Sequence, residues 1–471
     1  MRKISIYTVL LAIVALSATS CKKDYFNLTS NPNQVTTPTL PGLLSTATHK
    51  SGINSYNVGS IVAVYVQYTA NPGAAASSDI YQIVDYSGTW DALYYAMADI
   101  HDMKDLAIAK GSSEYRGVAN VLWAYNLNLA ADLWGSIPYK ESFNPTILTP
   151  KYDTQEEIYA AGLTLLDSAI IELTKTDATL KLQASSDLIH GGDRAKWLKT
   201  ANALKARMLI KVSKTASYKP ADVLTTLAGA YTANADDAGM ASFQLRNNWA
   251  GVAVSNAANT LGGWLSEQLI DHLNGVTYGI LDPRIAKITD KTVNGTYIGT
   301  VNGAGNRPPG ANTTKDECYI TVNSPWTSPT APLLLVTYAE LKFIEAEAAF
   351  GTDPTRAYNA YLAGIRANMD KLQVAAADRD AYLASPIVAV GAANLTKTLI
   401  FKEKYVATYL NPEAWNDVRR NNYQYKDFTL PQNAVLTTFI RRLEYPSLER
   451  SENGPNVPPS VPLSDRLWWD K

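Results

Sequence analysis

Apolar residues recur at steps of three and four through much of the chain, and that spacing predicts helices. Between 116 and 133, Val118, Leu122, Tyr125, Leu129 and Leu133 fall on one face, and Gly135 and Pro138 stop the pattern. Thr154 and Glu157 form a capping-box pair ahead of Leu166, Ile170 and Leu173. Asp193 can cap a helix bearing Trp197, Ala201, Leu204, Met208 and Val212. Asp353-Pro354 supplies an N-cap followed by proline in the first turn, ahead of Tyr358, Leu362, Ile365 and Met369. Leu395, Leu399, Val406 and Leu410 line another helix, and Asn411-Pro412 opens a short one with Trp415 and Val418. Residues 55–90, 245–330 and 420–471 lack a period and read as long irregular segments. "TVNGTYIGTVNGAGNRPPGANTT" (292–314) reads as loops with a small hairpin. The pattern predicts an all-α fold, mostly helix with long loops. Helices in pairs suggest a repeat scaffold, although no fixed 34-residue period and no tetratricopeptide consensus is present.

The first twenty residues have a different pattern. Arg2 and Lys3 precede an apolar run from Ile4 to Leu16, too short for a permanent span but suited to a signal sequence. Small residues 17–20 then lead to Cys21, the layout of a bacterial lipobox, with Ala18 where leucine is more usual. In that layout the chain is cut before Cys21 and its thiol is acylated. Several acyl chains hold a membrane firmly where one does not. The expected organisation is a signal peptide over 1–20, a lipid-anchored tether over 21–40 and one helical domain over 41–471. Lys22, Lys23 and Asp24 begin the tether in water.

Composition narrows the function. Loss of residues 1–20 moves the formal net charge from -1 to -3, which gives no electrostatic case for nucleic acid. If Cys21 carries lipid, Cys318, the only other cysteine, has no disulfide partner. His49, His101, His190 and His272 are scattered without metal-ligand spacing, and no nucleophile-elbow or phosphate-loop motif occurs. No metal, cofactor or catalytic residue is expected. "GAG" at 303–305 lacks the strand–turn–helix setting of a dinucleotide site. Glu345 and Glu347 are two apart and point in different directions on a helix. The acids Glu340, Glu345 and Glu347 read as helix-face charges or cation partners. Arg419-Arg420 and Arg441-Arg442 read as internal ion pairs near them, with an anion clamp as the alternative.

In chain order, "SNPNQVTTPTLPGLL" (30–44), "DLWGSIPYKESF" (132–143), "YDTQEEIYAAGLTLLDSAI" (152–170), "GGDRAKWLKTANALKARMLIKVSK" (191–214), "LDPRI" (281–285), "LLLVTYAELKFIEAEAAF" (333–350), "EAWNDVRRNNY" (413–423) and "RRLEYPSLERSENGPNV" (441–457) resemble the SusD/RagB family of nutrient-binding outer-membrane lipoproteins. The resemblance spans nearly the whole mature chain. It implies a scaffold of tetratricopeptide-like helix pairs with a loop-rich ligand face. It implies a position on the outer face of the outer membrane, capping a SusC-like TonB-dependent β-barrel transporter, and binding of an oligosaccharide or other nutrient without chemistry. The Lys-Lys-Asp after Cys21 resembles an export signal to that surface.

Sugar recognition needs aromatic faces for C–H surfaces and planar polar groups for hydroxyls, on a preformed surface. Gln67, Asn71, Tyr81 and Trp90 lie close together outside the clean helices and are the first ligand candidates. Trp264 and Trp326 follow, and Trp249 is a further loop tryptophan. Packing of Trp90 at the start of the next helix is the competing reading. So is a helix-end turn pinned to the core for Trp134 and Tyr139. Two functional alternatives stand beside nutrient binding. One is a surface glycan hydrolase, which needs two carboxylates roughly 5–10 Å apart across a groove. The other is a structural lid of the transporter without tight ligand binding.

Overall fold

The computed structural model describes residues 38–257, 263–307 and 316–471. Cys21, the signal segment and all but the end of the tether lie outside the described residues, as does 308–314 of the long loop segment.

In chain order the elements are α1 (Leu40–Tyr65), β1 (Thr69–Ala70), α2 (Ser87–Ala109), α3 (Ser113–Trp134), β2 (Ile137–Pro138), β3 (Tyr152–Asp153), α4 (Gln155–Thr174), α5 (Arg194–Lys211), α6 (Pro220–Leu227), β4 (Ala238–Met240), α7 (Asn248–Ala257), β5 (Trp264–Leu265), α8 (Glu267–Asn274), α9 (Ile285–Ile288), β6 (Leu333–Val336), α10 (Tyr338–Ala349), α11 (Pro354–Lys371), α12 (Ala376–Ala384), α13 (Lys397–Ala407), α14 (Glu413–Arg420) and α15 (Ser447–Glu452). The all-α expectation holds. Among the described residues, strands are confined to three antiparallel two-stranded pieces, β1–β5, β2–β3 and β4–β6. Helices α1 to α6 each pack on the next, and α10 continues the array by packing on α6 and α11. Among the described residues, no helix is long and apolar enough to cross a membrane.

Local signals set the helix ends. Thr154 and Glu157 make the reciprocal capping box of α4. Asp193 accepts from the Ala195 and Lys196 amides at the start of α5. Asp353 accepts from the Arg356 amide, with Pro354 in the first turn of α11. Each satisfies amides that the helix itself leaves unpaired.

Helix α1 departs from expectation, because it runs eleven residues, 55–65, into the stretch read as irregular. Its glycines mark close packing, not turns. A Cβ at Gly59 would lie 2.7 Å from the Leu410 carbonyl oxygen, and one at Gly52 would lie 2.5 Å from Met240 Cβ. Likewise α7, α8 and α9 fall within 245–330, and α15 within 420–471.

The main apolar core runs from Leu44 in α1 through Leu122, Trp134 and Leu166 to Trp415, and a second cluster gathers Phe343, Tyr361, Met369 and Ile400. Buried ion pairs cross these cores. Arg207 donates to Glu340 at 2.6 Å, Arg420 to Glu347 at 2.9 Å and to Asp417 at 2.6 Å, and Arg441 reaches Asp470 at 2.6 Å. Glu345 pairs with Arg356 at 2.7 Å. Arg419 and Arg442 bond backbone carbonyls instead of acids, those of Asp132 and Arg441 for the first and Trp134 for the second.

Glu413 is the poorly served acid among them. Its Oε2 accepts from Asn416 at 2.9 Å, but its Oε1 is buried without a partner. Burial, the largest influence, pushes its carboxyl from the ordinary 4.5 up to about 7. Between those values the folded chain holds a proton that the unfolded chain has released. This contribution to stability is therefore full below pH 4.5 and is lost as pH rises toward 7. Glu413→Gln keeps the shape and removes the charge. It is expected to unfold about 1–2 kcal/mol later than the parent at pH 8, with the gain vanishing near pH 4.5. Urea unfolding at the two pH values checks this, and an equal shift at both would refute it.

Candidate functional site

Three irregular segments meet beside the N-terminus of α8, and their backbones are fastened to one another. The Ala75 amide donates to the Gly303 carbonyl at 2.9 Å, and the Asn306 amide to the Pro72 carbonyl at 3.0 Å. The Gln432 amide donates to the Asn302 carbonyl at 2.9 Å, and the Val435 amide to the Ile80 carbonyl at 2.9 Å. Asp79 is fully buried at the junction. Its Oδ2 accepts from the amides of Asn71 at 2.9 Å and Gly303 at 3.2 Å. Desolvation raises its carboxyl pKa despite those two bonds. The "GAG" run thus has a packing role. Gly303 has φ +79°, and a Cβ there would lie 1.9 Å from the Gln432 carbonyl oxygen.

Beside this junction opens a cleft of about 360 Å³, within the range of roughly 300–1,000 Å³ usual for small-ligand sites. Ser266, the N-cap of α8, donates to Asn302 Oδ1 at 2.6 Å, and Asn302 Nδ2 donates to the Thr69 carbonyl at 2.9 Å. One wall is therefore a continuous hydrogen-bonded unit. Gln67 and Gln268 add amides, Thr277 and Thr429 add hydroxyls, and Glu267, Asp271 and Asp427 supply carboxylates. Burial raises the carboxyl pKa of both Glu267 and Asp271. Among the described residues, no histidine, cysteine, lysine or arginine lines the cleft. It can accept and donate hydrogen bonds and attract positive charge.

Of the six ligand candidates, only Gln67 reaches this cleft. It has φ +54° and donates from Nε2 to the Thr429 carbonyl at 2.7 Å. Asn71 stands next to it as a loop brace, its Oδ1 accepting from the Gly73 amide at 2.9 Å. Tyr81, Trp90 and Trp264 are each at most 3% exposed and present no ring face to solvent. Tyr81 packs against Tyr65, and Trp264 against Tyr319. Trp90 packs edge-on to Trp134, with ring centres 5.0 Å apart. The same cluster fixes the "DLWGSIPYKESF" turn, because Trp134 Nε1 donates to the Glu444 carbonyl and Tyr94 to the Pro138 carbonyl. Trp326 is half-buried and shares with Trp249 a pocket of about 20 Å³, room for a water molecule and no sugar. The sequence reading missed Ser266, Gln268, Asp271, Asn302, Asp427 and Thr429. The one signal that pointed near them was the glycine-rich run at 303–305.

The profile of the SusD-like family, described as "Starch-binding associating with outer membrane", matches residues 27–446. The fold is similar to that of a SusD/RagB family protein from Bacteroides thetaiotaomicron, 22% identical with a TM-score of 0.74, over 92% of this chain and 99% of that one. It is also similar to a chitin-binding SusD homolog from Flavobacterium johnsoniae, 22% identical with a TM-score of 0.77, over 92% and 98%. A SusD homolog from Bacteroides fragilis is 20% identical with a TM-score of 0.76, over 92% and 100%. A comparison with curated protein sequences returned no match. The solved structures share the fold with this chain, and the family profile extends over most of its length: the chain belongs to the SusD-like family.

Proposed function

We propose that this protein is a lipid-anchored surface lipoprotein that binds a nutrient glycan and hands it to a SusC-like TonB-dependent outer-membrane transporter. In this reading residues 1–20 are removed, Cys21 is acylated, and the tether to residue 40 carries a helical domain at 41–471. The observation that carries the reading is the braced cleft between α8 and the three loops. Its polar groups are held in place by backbone bonds before any ligand arrives, so binding loses little ordering entropy. The chitin-binding homolog of the same fold supports a glycan as ligand, and the family description supports the outer-membrane setting. Of the predicted ligand set, Gln67 is the residue we assign to this cleft, with Asn71 bracing the adjoining loop.

Calorimetric titration of a glycan panel tests the binding role. Saturable binding without release of reducing ends is the expected result, whereas release of reducing ends would make the protein a hydrolase. Affinity purification of the tagged full-length chain from detergent-solubilised outer membranes, followed by mass spectrometry, tests the rest. A co-purifying β-barrel and an acylated Cys21 peptide are expected. Recovery of the protein alone and unmodified would refute both anchor and transporter. Cys21→Ser is expected to move most of the protein out of the membrane fraction, because the lipid chains are what hold it there. Immunoblotting of the separated fractions reads that out.

A further inference from the structure

Gln67 and Gln268 are 5% and 8% exposed, and both line the cleft. Each uses its Nε2 on a backbone carbonyl, that of Thr429 at 2.7 Å for Gln67 and that of Lys426 at 3.2 Å for Gln268. Those bonds fix which way the amides point, since a flip would set oxygen against oxygen. Neither Oε1 accepts a hydrogen bond from the described residues. Both amide oxygens on the cleft wall therefore remain open to a donor that enters the cleft.

The charges point the same way. Glu267 and Asp271 lie one turn apart on α8, and Asp427 comes from the loop after α14. Two cations stand beside the cleft, and each is already bonded. Arg307 is shared between Glu267 and Glu317, the latter at 2.8 Å, and Lys426 donates from Nζ to the Thr277 carbonyl at 2.5 Å. Burial, the largest influence, raises the Asp271 pKa; the hydrogen bond from Asn274 and the charge of Arg307 lower it, and Asp427 raises it, as like charges do. Among the described residues the lining is rich in acceptors and holds no aromatic side chain, and Asp271 and Asp427 are its carboxylates without an ion pair.

We propose that this cleft selects a ligand carrying a free protonated amine, specifically an oligosaccharide with unacetylated glucosamine units. The inference rests on the glycan-binding reading of the same cleft. An ammonium brings three donors, no acceptor and a positive charge. Its bonds to carboxylates are charge-assisted, and they take the place of the ring stacking that the lining does not offer. Acetylation removes the charge and sets a carbonyl oxygen against a wall of oxygens, so the cleft discriminates against the acetylated sugar as well as the neutral one.

The test titrates the full-length protein in detergent with hexamers of glucosamine, N-acetylglucosamine and glucose, and with hexalysine. The glucosamine hexamer is expected to bind at least about tenfold tighter than the other three, with the margin shrinking in high salt. Asp427→Asn is expected to remove most of that margin. Asp427 has φ +61°, a conformation asparagine adopts readily, so this variant keeps the fold. Equal binding of the three sugars overturns the amine preference and leaves the glycan reading standing. Binding of none of the sugars overturns both. Equal binding of hexalysine shows a general cation trap and also overturns the proposal, as does an unchanged margin in Asp427→Asn.

Discussion

Arg284→Met is expected to lower the unfolding free energy by about 3–5 kcal/mol, the usual cost of removing one partner from a buried ion pair. Arg284 is fully buried and central to a charged cluster. It donates from Nη2 to Asp282 at 2.5 Å, from Nη1 to Asn368 at 3.1 Å, and to Glu403. Glu403 is held further by Tyr382 at 2.8 Å and Lys402 at 3.0 Å. The cations and hydroxyl around it keep the Glu403 carboxyl down at about 2, against the desolvation that would raise it. Methionine fills much of the arginine volume, so the loss is chiefly electrostatic. Asp282 would be stranded without a cation, and Glu403 left with Lys402 alone. Adding Asp282→Asn to Arg284→Met is expected to recover part of the stability, because one unpaired charge is then gone. Urea unfolding of the single and double variants measures both effects. A single-variant loss below about 1 kcal/mol would show that the cluster contributes little beyond packing.

That cluster also joins the ligand face to the scaffold. The Asp282 amide donates to the Leu273 carbonyl at the end of α8, while Glu403 belongs to α13 and Asn368 to α11. Stability and site geometry therefore share a support. Arg284→Met should loosen α8, and with it the cleft wall that carries Glu267, Gln268 and Asp271.

How much of this could be read from the chain depends on the range of the signal. Helix caps are encoded within four residues, so Thr154, Asp193 and Asp353 announced α4, α5 and α11. Internal pairing of Arg420 was legible from residue type, because buried guanidinium groups need partners, but the segments bringing Glu347 and Asp417 together are set by packing. Asp470 as the partner of Arg441 could not be read locally, since it lies 29 residues further on. Helix α1 was hidden because Gly52 and Gly59 look like loop residues in sequence and serve as contact points in space. The aromatic candidates went astray for a related reason. Trp90 and Trp264 lie near irregular segments, yet their large apolar area is most stable when buried. The cleft had no period to betray it, since its groups come from residue 67, from 266–277, from 301–302 and from 427–432.

Gly303→Ala tests whether the junction of those segments shapes the cleft. Gly303 sits at φ +79°, where an L-residue is strained, and the added Cβ would fall 1.9 Å from the Gln432 carbonyl oxygen, far inside any van der Waals contact. The obstacle is backbone, so no rotamer change relieves it. Segment 431–435 must move away, and the Gln432 amide then loses the Asn302 carbonyl. Pro431 and Gln432 line the cleft from that segment, directly after Thr429 and Leu430, so its mouth changes shape. Binding of the tightest ligand from the glycan panel is expected to weaken at least tenfold, and amide exchange over 429–435 to accelerate. The helical array should keep its unfolding midpoint within a few degrees, because this junction lies outside the helix–helix core. Gly295→Ala is the matched control. Its φ is +74°, yet nothing lies within 4 Å of the added Cβ. It should carry a similar backbone strain of about 1–2 kcal/mol without disturbing binding. If the two variants bind alike, the clash at Gln432 is absorbed without cost and the junction does not set the site. If Gly303→Ala alone loses binding while its helices stay folded, the three-loop junction determines the shape of the ligand surface.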